Sequence, residues 1–312
     1  MSAKSAEMFR PRRRSRTLAG PLFAAACLLA TLTGVVVLAV LVLAVVAAAL
    51  SGVEGGPDVA GAARELYDLL ARLISNRQSS DPARAGFRVG IVSSLWLLAL
   101  TAAIGIPLGV GAGVFLEEYM PDGRLRRLVQ TNIANLAGVP SVVYGILGLA
   151  VFARGFGYPG LALGPTLLAG ALTLSLLILP TIVITTQESL RTVPPSLRQA
   201  ALALGATRWQ VVSGHVLPSA LPGILTGMIL GLSRAVGETA PLLMVGAAGS
   251  LLRAPGGPFD RYTAMPVEIY NYAKEPGQAF QPVTAGGILI LVALLLSMNA
   301  VAIVIRNRYG RR

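Results

Sequence analysis

Six apolar runs set the limits on this chain. They cover residues 18–50, 87–115, 128–152, 161–186, 217–249 and 282–305. Each is long enough to cross a bilayer, for which about 20 apolar residues suffice. Inside hydrocarbon every backbone polar group needs an internal partner, so runs of this length must be helices. The connections between them are short and hold almost all of the charge. With 54% hydrophobic and 13% charged residues, the composition is that of a polytopic membrane protein. The expected fold is all-α, a polytopic membrane bundle of six transmembrane helices.

Six crossings put residues 1–17 and 306–312 on the same side. Lysine and arginine number sixteen on that side and nine on the other, with Arg234 alone deep inside a run. Positive charge gathers in cytoplasmic loops, so both tails are expected in the cytoplasm. The expected layout is a basic tail at 1–17, a first transmembrane helix at 18–50 and an extracytoplasmic connection at 51–86. A core of five helices follows at 87–305 with a cytoplasmic loop at 187–216, and then a tail at 306–312. The 18–50 run exceeds the 7–15 apolar residues of a signal-peptide core, so it reads as a retained span.

The net charge of +12 comes from these loop arginines, so no nucleic-acid partner is inferred. Cys27 and His215 are the only residues of their kinds, which leaves no internal disulfide, no His/Cys metal cluster and no basis for a His-centred triad. The two lysines, Lys4 and Lys274, are not placed for G-x-x-x-x-G-K-[ST]. No cofactor or metal is expected on this chain, and any ATP must be bound by another subunit.

Three connections carry local signals. Within 58–74, Ala62, Leu66, Leu69, Leu70 and Leu73 fall near helical spacing, as in an amphipathic surface helix. GVPSVVYG at 138–145 puts Pro140 where it either kinks a helix or begins one, with Ser141 able to line a cavity. MPVEIYNYAKEPG at 265–277 mixes aromatics and charges, as an interfacial loop would.

The 217–249 run is different, because it contains Arg234 and Glu238. A charge at membrane depth costs about 2.5–3.5 kcal/mol on insertion scales, so something must offset it. Four residues apart on a helix, the two share a face. They are either a private ion pair that locks packing or a polar station on a solute path. Gly223, Gly227, Gly231 and Ala235 form a small-residue stripe for a close helix neighbour. Pro241 removes a backbone donor just beyond Glu238 and invites a kink or opening.

The 187–216 loop contains Pro194, Pro195 and Ser196 ahead of LRQAALALGA. Ser196 suits an N-cap and Gly205 a position just past a helix end. Leu197, Ala200, Ala201 and Leu204 form the apolar stripe, and a second short helix can start at Thr207. The pair is either a docking element or a surface loop packed on the spans.

RQAALALGATRWQVVSGHVLP, residues 198–218, resembles the EAA loop of the permeases of binding-protein-dependent, type I ABC importers. Ala200, Ala201, Gly205 and Leu217–Pro218 match that motif, and Gln199 stands where Glu is usual. FLEEYMP (115–121), AGVPSVVYGILGL (137–149), LPTIVITTQESLRTVP (179–194), SRAVGETAPLL (233–243) and PVEIYNYAKEPGQAF (266–280) are similar to the phosphate-transport members of that family. The resemblance implies a complex in the bacterial inner membrane. Its other parts would be a second permease subunit, two ATPase subunits carrying ATP and Mg, and an extracytoplasmic phosphate-binding protein. It implies coupling through Gln199, Ala200, Ala201 and Gly205. It also places Arg234, Glu238 and Thr239 on the path of inorganic phosphate. No residue is assigned covalent chemistry. The alternatives are a permease of the same fold for sulfate or molybdate, a membrane enzyme using Glu238, and a scaffold locked by Arg234 and Glu238.

Overall fold

The computed structural model describes residues 19–51, 59–247, 249 and 251–309. The basic tail expected at 1–17 and the arginines at 311–312 lie outside the described residues. The chain forms two units, one ending at Ala47 and one beginning at Ala48.

The first unit is most of α1, Ala19–Leu50. It is apolar on every side, as a helix surrounded by lipid is.

In the second unit, α2 (Val59–Ser75) buries Leu69 and Leu73 and exposes Tyr67, the expected amphipathic split. α3 (Arg88–Val114) continues into a π-helical turn at Phe115–Tyr119. α6, Leu167–Arg191, is the centre of the bundle, and Thr166 caps it by accepting from the Ala169 amide. α3 meets α6 through small residues. A Cβ on Gly109 would sit 2.7 Å from Ile182, and one on Gly113 would sit 2.7 Å from Thr186. On its other side α6 meets α9, Leu217–Gly237, through the expected stripe: Gly223 faces Ser189, Gly227 faces Thr185 and Gly231 faces Ile182. Close approach of this kind packs helices where lipid removes the hydrophobic drive between them.

The third apolar run is not one straight span. α4, Arg124–Ala137, and α5, Ser141–Gly148, meet at 102°. Pro140 has φ −56° and ψ 139° and begins α5. A proline there lacks the N–H that would continue α4, and it pushes the preceding residue out of the α region. α5 runs on through a π-helical turn at Leu149–Ala153. At about 1.5 Å per residue neither arm spans a core of about 30 Å by itself.

The fourth span begins later than expected, at Leu167, because Gly164 (φ +69°) and Pro165 precede it. The loop after it is α7 (Pro195–Ala203) and α8 (Arg208–Val211), and a π-helical turn at Val212–Val216 leads into α9. Pro194, not Ser196, is the N-cap of α7, because Pro195 takes the first helical position, where its missing N–H costs nothing. Gly205 has φ +83°, as a residue just past a helix end requires, and Thr207 forms a capping box with Gln210.

The fifth run also breaks. α9 ends at Gly237 and α10 covers only Ala240–Val245. The segment expected as an interfacial loop folds into α11, Met265–Lys274, and buries Met265, Val267, Glu268 and Tyr272. α12, Gln281–Tyr309, closes the bundle.

Candidate functional site

The Arg234–Glu238 pair lies at the break between α9 and α10. Glu238 is not on the helix. Its backbone is extended (φ −80°, ψ 120°), and its amide reaches back to the Ala235 carbonyl at 3.4 Å. The side chain then runs beside the last turn of α9, with Oε1 3.5 Å from Arg234 Nε. Thr239 follows, and its carbonyl accepts from Leu243 in α10.

This contact is loose. The side chains are 41% and 20% exposed, and no hydrogen bond closes between them. A single contact of this kind contributes under about 1 kcal/mol, whereas a lock draws its strength from a forked, desolvated pair. Most guanidinium donors of Arg234 remain open to another oxygen. As a cation in the last turn of α9, Arg234 also suits the helix dipole.

Neighbouring elements fix both sides of the break. α5 packs directly on α10, since a Cβ on Gly145 would fall 2.6 Å from Pro241 Cα. Tyr144 of α5 is buried, donates to the Leu136 carbonyl at 2.8 Å, and lies within electrostatic reach of Arg234. On the other flank, Ser233 Oγ donates to Asn299 Oδ1 of α12 at 2.6 Å. The residue before Arg234 is therefore tied to α12. Asn299 was missed in the sequence reading. Its signal was an amide standing alone in the last apolar run, which implies a polar partner on another helix.

The four loop residues implied by the resemblance divide. Gln199, Ala200 and Gly205 are exposed on α7 and its end. Ala201 is buried among Leu190, Val193, Val211 and Val216, where it holds the loop against the bundle. Leu204 was expected in that inward stripe. It points outward instead and is 90% exposed, because it sits at the helix end where the chain turns at Gly205. Trp209 is exposed beyond the turn. Leu204 and Trp209 are thus large apolar side chains exposed on either side of Gly205 in the loop that carries the motif.

Membrane-length helices around α6, a charge pair at a broken helix and an exposed two-helix loop define a membrane transport component. Residues 105–312 match the model of the family described as "Binding-protein-dependent transport system inner membrane component", and the chain belongs to that family. Members of this family are the membrane parts of transport systems and not enzymes themselves. Its relatives include "Phosphate transport system permease protein PstA" of Yersinia pestis, 33% identical over 72% of this chain and 74% of that protein. "Probable ABC transporter permease protein YqgI" of Bacillus subtilis is 40% identical over 55% of this chain, and the chain spans only 57% of YqgI. A solved bacterial ABC transporter involved in the import of the acidic polysaccharide alginate shares the fold. It has a TM-score of 0.64 and 19% identity, over 93% of this chain and 97% of that one.

Proposed function

We propose that this chain is the membrane-spanning permease subunit of an ATP-driven importer of inorganic phosphate. The observation that carries the reading is the loose Arg234–Glu238 contact at the α9–α10 break, in a chain whose relatives include PstA. Arg234 offers forked donors to the phosphate oxygens. Phosphate at neutral pH keeps at least one proton, and the Glu238 carboxylate accepts its hydrogen bond while repelling a fully ionised oxyanion such as sulfate. Thr239 adds a hydroxyl at the same break. The Arg–Glu pair is neutral overall, so net attraction comes from the second permease subunit. A weak station suits passage, because a tight site would hold the ion.

In this reading the complex also contains two ATPase subunits, which bind ATP and Mg, and an extracytoplasmic phosphate-binding protein. The α7–α8 loop docks on an ATPase subunit through Gln199, Ala200, Gly205 and the exposed Leu204 and Trp209, and Ala201 supports it from inside. Both tails lie in the cytoplasm, as the charge count favours.

The test is uptake of radiolabelled phosphate by proteoliposomes holding the whole complex, with sulfate and molybdate as competitors. Arg234→Met with Glu238→Leu removes both charges together and strands neither. It is expected to assemble and hydrolyse ATP but to pass no phosphate. Wild-type uptake by this variant would reduce the pair to a packing lock. Equal competition by sulfate would move the substrate class to another oxyanion.

A further inference from the structure

Three of the six ion pairs among the described residues gather on Glu117 and Glu118, at the end of α3. In the sequence this stretch is a charged turn that carries part of the family resemblance and no assigned role. In the structure it is the π-helical turn Phe115–Tyr119, and three consecutive residues hold four neighbouring helices.

Glu117 receives Arg191 as a fork, Nε to Oε1 and Nη2 to Oε2, both at 3.0 Å. Arg126 Nη2 of α4 donates to the same Oε2 at 2.9 Å. Glu117 thus joins the ends of α3 and α6 to the first turn of α4. Glu118 accepts from Arg198 Nη2 of α7 at 2.7 Å. The same guanidinium donates to the Leu190 and Val193 carbonyls, each at 2.8 Å, at and just past the end of α6. Tyr119 carries the Arg208 guanidinium of α8 over its ring at 5.7 Å. The Glu117 and Glu118 side chains are only 13% and 10% exposed, so water weakens these pairs far less than it weakens surface pairs.

The rest of α7's attachment is apolar packing around Ala201. Apolar contact resists separation but has no fixed direction, so a helix held only by it can slide. Arg198 is different. Its donors point at three acceptors, Glu118 in the turn that continues α3, Leu190 in the last turn of α6 and Val193 just beyond it, and α3 and α6 are interlocked through Gly109 and Gly113.

We propose that Glu117, Glu118 and Arg198 form a transmission joint that carries displacement of the α7–α8 loop into α3 and α6, and through α6 into α9 and its Arg234. They are positioning residues and touch neither solute nor nucleotide. The inference rests on the reading of α7–α8 as the ATPase docking loop, and the experiment separates the two.

Glu118→Gln and Arg198→Gln are placed in the complete complex in proteoliposomes, with phosphate-loaded binding protein inside the assay. Three quantities are read: ATPase subunit retained per permease, ATP hydrolysis, and phosphate taken up per ATP hydrolysed. Both variants are expected to retain the ATPase subunit and to hydrolyse ATP. Uptake per ATP should fall at least about fivefold, the lower end of coupling between distant sites. The swapped pair, Glu118→Arg with Arg198→Glu, should recover part of that ratio. A normal ratio in the assembled single variants would overturn the joint. If the single variants do not assemble, the swap decides. Restored assembly with a ratio no different from that of wild type in every surviving variant would make the cluster a fold stabiliser only. Failure of the wild-type permease to retain an ATPase subunit would instead overturn the docking reading.

Discussion

Replacing Glu268 by Gln removes one titration and leaves the shape of the side chain unchanged. Glu268 sits on α11 with 0% exposure, and neither carboxyl oxygen has a hydrogen-bond partner. It is pressed against the first turn of α3, where a Cβ on Gly90 would fall 2.5 Å from Oε2. Burial pushes the carboxyl up from 4.5 to about 8, with the nearby Gly90 backbone opposing part of the rise. In the unfolded chain the group loses its proton near its ordinary value, while in the folded chain it keeps it. Stability from this group is therefore complete below the unfolded value. It declines as pH rises toward about 8 and is level beyond. The slope is about 1.4 kcal/mol per pH unit, so roughly 3 kcal/mol is lost between pH 5 and pH 7. At about 2–4 °C per kcal/mol for a large chain, that is a fall in Tm of roughly 6–12 °C. The assay is thermal unfolding of the detergent-solubilised protein across this range, followed by tryptophan fluorescence. The difference between wild type and Glu268→Gln should grow steadily with pH. Parallel curves would show that Glu268 is charged or solvated in the folded protein, and the burial argument would fail.

Two further outcomes follow from the architecture. Gly205→Val places a β-branched residue at φ +83°, at a cost of about 1–2 kcal/mol. It should weaken ATPase association while α9 stays inserted, and normal uptake by a well-expressed variant would contradict that. In a Cys27→Ser background, a single cysteine at Gly256 should react with an impermeant reagent on intact cells and one at Ser2 should not. Labelling at Ser2 would reverse the proposed orientation.

Much of the bundle was legible because membrane burial is a matter of composition and length. The apolar runs located the spans, the glycine spacing on α9 located its contact with α6, and Gly205 and Thr207 marked the turn between α7 and α8. The directions taken by the broken elements were not legible. Pro140 allowed either a kink or a new helix, and hydropathy has no term that separates them. Arg234 and Glu238 looked like helical neighbours because a spacing of four fits a helix, yet α9 ends between them. Glu268 lay in a segment whose mix of aromatics and charges suggested an interfacial loop. Its burial depends on Gly90, which is far away in sequence, so no local pattern could give it. Glu117 and Glu118 stood in a charged turn within FLEEYMP with no role legible, because their partners come from α4, α6 and α7.

The two breaks explain one another. α5 can approach α10 backbone to backbone because Gly145 has no side chain, and it meets α10 at Pro241, just past the point where α9 has opened. Had α9 continued straight, Pro241 would not present this surface to α5. Had α4 continued through Pro140, Tyr144 would not lie near Arg234. Each break leaves backbone groups that a regular helix would have satisfied. The position of Arg234 and Glu238 is thus a product of the α5–α10 contact. Filling Gly145 should therefore disturb the pair as directly as a change at Glu238 itself, although residue 145 carries no charge and lies in a different apolar run.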